Sequence, residues 1–142
     1  MILPDADLLL CSVNIDSSDH AKAYRWWNDL VKSDVPIGIY TDVAFAFIRL
    51  STNRRIFNQP LTVEESFGYL NNWLGFAQTK LIETELEDLA VAAKLLKRVG
   101  TGGNLTSDAQ IAAAALRLNA TVHSADADFG RFEKLKWFNP LD

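Results

Sequence analysis

Residues 1–10 read MILPDADLLL, and the point where this stretch stops being a strand decides the fold. Met1 to Leu3 is a short apolar run followed by Pro4 and Asp5, and reads as a buried strand stopping at Asp5. The same tripeptide, Asp-Ala-Asp, returns near the other end in SADADFG, residues 124–130. There ATVHSA, the most strand-like stretch of the C-terminal half, stops at Asp126. A carboxylate at the edge of a segment that wants burial has two explanations, turn chemistry or a metal. The repeat itself reads as coincidental: Asp5 and Asp126 sit at strand ends, whereas Asp7 belongs to the following helix start.

Working outward, the periodicity changes from strand to helix and back. From Ser17, the residues His20, Tyr24, Trp27 and Val31 recur at helical spacing, which predicts a core-facing stripe on SDHAKAYRWWNDLV. PIGIYT, residues 36–41, is β-prone and too short for a helix. Val43, Ala46, Phe47 and Leu50 fall at i, i+3, i+4, i+7, so DVAFAFIRL reads as a helix whose first turn carries Asp42. Thr62 with Glu65, Thr84 with Glu87 and Ser107 with Gln110 all have the spacing of a capping box, and each predicts a helix start. KLI between the first two is a candidate strand, and LKWF a candidate last one. Gly100 and Asn119 can end their helices in the left-handed conformation. The third box places Asp108 in a helix's first turn. Strands alternating with helices predict the α/β class, a parallel sheet covered on both faces.

Composition limits the functions available. With 142 residues and 49% hydrophobic content, the chain is expected to form one domain, 1–142. It has no low-complexity tract or repeat. A net charge of −4 and a pI near 5.1 argue against a broad basic field that holds nucleic acid, though not against a local patch. The only cysteine, Cys11, cannot form an internal disulfide. The N-terminus lacks a basic leader and interrupts its apolar part with two aspartates, so it reads as neither signal peptide nor membrane span. The expected location is the cytoplasm.

In an open parallel sheet the functional crevice lies beyond the carboxyl ends of the strands. Asp5 and Asp126 follow strands; Asp42 and Asp108 open helices. Singly, each has a bland reading as a helix cap or turn residue. Jointly, four acids at one sheet edge would repel unless protonated, paired or holding a cation. An all-oxygen set suits Mg²⁺ or Mn²⁺, and the chemistry such a site implies is phosphodiester cleavage. The competing sites are poorly formed. His20 and His123 have no partners at zinc spacing, GTGGN lacks the spacing and lysine of a phosphate-binding loop, and there is no serine-hydrolase elbow. Ser124 is placed as a hydroxyl near the Asp126 carboxylate, with a turn hydrogen bond equally open. Arg49, Arg54 and Arg55 form the best candidate phosphate contact, against an ordinary solvated loop. Trp26, Trp27, Trp73 and Trp137 read as core or interface.

DADLLL, TDVAFAFIRLSTNRRIF, TSDAQIAAAAL and the C-terminal HSADADFGRF with WFNPL together resemble a PIN-domain ribonuclease, in particular the VapC-type toxins of toxin-antitoxin pairs. The resemblance spans nearly the whole chain. It implies a three-layer α/β/α fold on a short parallel sheet, a metal-dependent endoribonuclease acting on structured RNA, a homodimer, and a cognate antitoxin that occupies the groove. It implies that Asp5, Asp42, Asp108 and Asp126 are the catalytic acids and that Asp128 is an accessory carboxylate, with Mg²⁺ as cofactor and Mn²⁺ as substitute. The chain departs from the family pattern at Asp42, where glutamate is usual; the shorter side chain implies contact with metal through water. Two alternatives stay open: an RNA-processing nuclease without an antitoxin, and a non-catalytic module that binds RNA or protein.

Overall fold

The computed structural model describes residues 1–142 and contains five short strands. They are β1 (Ile2–Pro4), β2 (Ile37–Tyr40), β3 (Thr79–Ile82), β4 (Thr121–His123) and β5 (Lys136–Phe138), arranged in the order β3-β2-β1-β4-β5 and all parallel. Six helices connect them: α1 (Ala6–Val13), α2 (His20–Lys32), α3 (Thr41–Ser51), α4 (Val63–Leu74), α5 (Leu86–Val99) and α6 (Leu105–Leu118). A 3₁₀ turn, Ala127–Arg131, follows β4. From β1 the chain moves outward to β2 and β3, then returns across the sheet to β4 on the other side of β1. Right-handed crossovers in opposite directions put α1–α4 on one face and α5–α6 on the other. The order reverses between β1 and β4, so the crevice beyond their carboxyl ends is the switch point. Asp5 and Asp126 stand at that point.

β2 shows why the sheet needs both layers: all four of its residues are buried. α6 supplies one cover, with Ala109, Ala112, Ala113, Ala114 and Ala115 fully buried, small enough for the helix to lie close to the strands. On the other face Trp27 of α2, Phe47 of α3 and Trp73 of α4 meet edge to face, with centroids 5.3 and 4.9 Å apart around Trp73. Trp27 and Trp73 are therefore core residues, as expected.

Several local readings shift. α2 starts at His20 rather than Ser17, and its stripe is Ala23, Trp27 and Leu30; Tyr24 turns outward because the sheet lies on the other side. On α3 the buried face is Val43, Ala44, Phe47 and Ser51, while Ala46 and Leu50 are only half-buried. The Thr62–Glu65 capping box is present. The Thr84–Glu87 box is not: α5 starts one residue later, with Glu85 as cap and Asp88 closing the box. Thr84 instead pairs its hydroxyl with that of Tyr40 and accepts from Gln110 Nε2. That bond also removes Gln110 from its expected box, and α6 begins two residues before Ser107, at Leu105. Gly100 and Asn119 do end their helices in the left-handed conformation, at φ 92° and 51°. No helix is long and apolar enough to cross a membrane.

Candidate active site

Asp5 reaches the crevice because β1 stops there and the chain turns at once into α1. Its N–H donates to His123 O at 2.8 Å, which ties it to the end of β4. Its carboxylate has two tasks: Oδ1 accepts the Ala6 N–H at 2.8 Å as a helix cap, and Oδ2 accepts the Ser124 hydroxyl at 2.9 Å. The same carboxylate thus caps α1 and lines the cleft. Asp126 behaves similarly, since its Oδ1 caps the 3₁₀ turn by accepting the Asp128 N–H at 2.9 Å. Asp108 comes from the first turn of α6 on the opposite side of the crevice.

Carboxylate oxygens of Asp108, Asp126 and Asp128 lie within 4.8 Å of one another. Asp5 and Asp42 share a cleft of about 370 Å³ with Asp108, so the four acids singled out in sequence do gather at one edge of the sheet. Asp42 is the most peripheral: it is exposed, one turn along α3 from the cleft's Phe45 and two from Arg49. Arg49 lines the cleft. Arg54 and Arg55 do not; both are exposed on the loop beyond α3, where the chain has already turned away.

Ser124 requires a correction. It is fully buried and cannot touch substrate. Its hydroxyl donates to Asp5 rather than to the Asp126 carboxylate, and it makes the turn hydrogen bond that was the other reading, accepting the Asp126 N–H at 3.0 Å. One side chain therefore fixes two acids from below. Asp7 was missed as part of this arrangement. Its Oδ2 accepts the Ala125 N–H at 3.0 Å and lies 3.4 Å from the Ser124 hydroxyl, so it braces the β4 end from α1. Phe45 was also missed, although its spacing from Asp42 and Arg49 puts all three on one helical face; it is 62% exposed at the cleft.

The electrostatics are those of uncompensated negative charge. Burial, then the charges of Asp5, Asp126 and Asp128, push Asp108 up to about 7. Burial and the Asp5 charge raise Asp7 to about 7 as well. Asp5 is raised chiefly by burial, against the opposing hydrogen bonds from Ser124 and Ala6, with Asp126 adding to the rise. The one ion pair at the cluster is Asp128–Arg131, at 3.6 Å. The donors are all oxygens, and Asp5, Asp108 and Asp126 have no ion-pair partner, which fits a hard divalent cation.

A parallel α/β sheet with an acidic crevice at its switch point defines the class of α/β proteins that can hold a hard divalent cation against a phosphate. No family model matches the chain. Relatives along its whole length do match: the ribonuclease VapC33 of Mycobacterium tuberculosis is 37% identical over 141 residues, 99% of each chain. The ribonuclease VapC37 of the same organism is 34% identical over 99% of this chain and 97% of its own. Among solved structures, VapBC2 from Rickettsia felis superposes with a TM-score of 0.70 at 19% identity, covering 98% of both chains. M. tuberculosis VapC20, described as a sarcin-ricin loop cleaving toxin, gives 0.70 at 18% identity, covering 92% of this chain and 93% of its own. The chain belongs to the VapC family of ribonucleases.

Proposed function

We propose that this chain, as a single PIN domain over residues 1–142, is a Mg²⁺-dependent endoribonuclease that cuts structured RNA in the cytoplasm. It acts as the toxin of a type II toxin-antitoxin pair, works as a homodimer and is silenced by a cognate antitoxin. The observation that carries the catalytic reading is the gathering of Asp108, Asp126 and Asp128 within 4.8 Å beside Asp5, with one arginine to offset them. The partner reading rests on family membership and on the VapBC complexes among the fold's neighbours.

In this reading Asp5, Asp108, Asp126 and Asp128 would hold the cation, with Asp42 at the rim of the same cleft. A bound Mg²⁺, for which Mn²⁺ substitutes, supplies Lewis acidity toward the phosphate and makes water a better nucleophile at neutral pH. Asp108 or Asp126 orients the attacking water. Arg49, at the far end of the α3 face from Asp42, neutralises the phosphate and sets its position. Ser124 keeps Asp5 and Asp126 in register, so binding energy is not spent on arranging them.

The test is cleavage of a panel of structured RNAs by purified, antitoxin-free protein with Mg²⁺ or Mn²⁺, with EDTA, and with Asp108→Asn. Cleavage that needs both metal and Asp108 supports the reading. A folded protein that cuts none of the panel and whose melting temperature ignores Mn²⁺ is a binding module instead.

A further inference from the structure

A second concavity, of about 570 Å³, lies between α5, α6 and the segment after the 3₁₀ turn. Lys94, Lys97 and Arg98 line it from α5 and Lys134 from the far wall, over a floor that includes buried Leu95. Glu133 is its only acid, and it is bound to Arg98 at 3.0 Å. Lys94, Lys97 and Lys134 have no ionic partner and are exposed.

This concentration runs against the chain's own charge. Residues 94–98 and 131–136 hold six of the 14 lysines and arginines with one acid among them, in a protein whose net charge is −4. Compensation of the α5 C-terminus accounts for Lys97 and Arg98, which sit in its last turn. It does not account for Lys94, or for Lys134 arriving from another element to face them. The groove is also linked to the acidic cluster along the chain. The 3₁₀ turn that carries Asp128 into the cluster carries Arg131, paired with it at 3.6 Å, and the chain then runs directly into Glu133 and Lys134. α6 likewise supplies Asp108 to one site and part of the wall of the other.

We infer that this groove binds the phosphate backbone of the substrate RNA, holding a flanking segment while the scissile phosphate lies at the carboxylates. The inference rests on the ribonuclease reading for its substrate. Exposed lysines with a shallow apolar floor suit a chain of phosphates read by charge, without base contacts. Such a surface gives an otherwise acidic protein its affinity for RNA and orients the RNA relative to the metal site.

The test compares the native chain with Lys94→Gln/Lys97→Gln/Lys134→Gln. A control variant, Arg25→Gln/Lys32→Gln/Lys80→Gln, removes the same charge from exposed positions elsewhere. Binding of a fluorescent RNA stem-loop is measured in EDTA across a salt series, and its cleavage is measured with Mn²⁺. The groove variant is expected to bind about 10-fold more weakly near physiological salt, with a log–log salt slope shallower by about 2. Its KM should rise while kcat holds. Native affinity and slope in the folded groove variant overturn the inference, as does an equal loss in the control. Because the binding arm needs neither metal nor catalysis, failure to cleave counts against the ribonuclease reading alone.

Discussion

Asp88 and Asp108 occupy the first turns of two helices that pack against each other, yet their charges are treated in opposite ways. Asp88 is 2% exposed and fully met: Arg117 Nε donates to Oδ1 at 2.9 Å, a second Arg117 nitrogen donates to Oδ2 at 3.1 Å, and the Glu85 N–H donates to Oδ2 at 2.9 Å. Burial works against its ionisation, but these bonds and the guanidinium charge outweigh it and hold the carboxyl below its usual range. Asp108 is less buried, but it has no ion-pair partner, and burial with the charges of Asp5, Asp126 and Asp128 pushes it up to about 7. Asp88 brings its countercharge with it, whereas Asp108 has none bonded to it.

The largest effect that separates the two is catalytic. Asp108→Asn should lower the single-turnover rate of RNA cleavage by on the order of 10²–10³-fold, with no loss of melting temperature. A variant that cuts normally would break the comparison, because Asp108 would then be an ordinary strained surface acid. Asp88→Asn should do the reverse. It takes the buried charge from Arg117 and should cost about 3 kcal/mol of stability, the low end for breaking a buried pair because Arg117 keeps Glu87, the Glu83 carbonyl and some contact with water. Thermal unfolding measures this directly, and the fraction that remains folded should cut at the native rate.

This division was only half legible in the sequence. The end of β1 at Asp5 is written locally, since a short apolar run followed by a turn-forming residue is enough to place it. β4, by contrast, stops at His123, three residues before Asp126, because Ser124 and Ala125 already turn toward Asp5 and Asp7. The convergence of Asp5, Asp42, Asp108 and Asp126 followed from the α/β alternation and the rule for where crevices form. The Asp88–Arg117 pair is 29 residues apart and joins two helices whose own patterns say nothing about which polar residues meet. Thr84 also obscured it: it has the right spacing for a cap, but the fold spends its hydroxyl on Tyr40 and gives the cap to Glu85. Ser124 was misplaced for a similar reason. Its partner depends on β1 lying beside β4, a sheet neighbour that strand periodicity does not reveal.

Ser124 sharpens the comparison from below. Ser124→Ala removes the hydroxyl that donates to Asp5 and accepts from the Asp126 N–H, without altering any ligating oxygen. Supporting residues of this kind typically cost 10–100-fold in metal affinity or activity when removed. A loss of about 10-fold in Mn²⁺ affinity is expected, read from titration against cleavage rate, with kcat at saturating metal largely recovered. A loss of kcat that saturating Mn²⁺ does not restore would mean that Ser124 acts on the reaction rather than through the acids.

The smallest effect is the dependence of stability on pH, where the unmet acids should show themselves without any substrate. Asp7 and Asp108 titrate near 7 in the folded chain, against 3.8 unfolded, so between those values the native state holds more protons. Stability of the metal-free protein should therefore fall as pH rises from about 4 to about 7. His123 opposes this. Burial lowers it to about 4 from 6.5, and its Nδ1, which accepts from Trp26 Nε1 at 3.0 Å, must stay unprotonated, so its contribution grows with pH over the same interval. Two acids against one histidine leave a net loss, on the order of 1–2 kcal/mol between pH 5 and 8 after screening. Mn²⁺ should cancel the loss above pH 7 by taking the place of the protons, and Asp108→Asn should flatten the metal-free profile. A native profile that rises toward pH 8 without metal would show that the cleft's charges are already met from within, as those around Asp88 are.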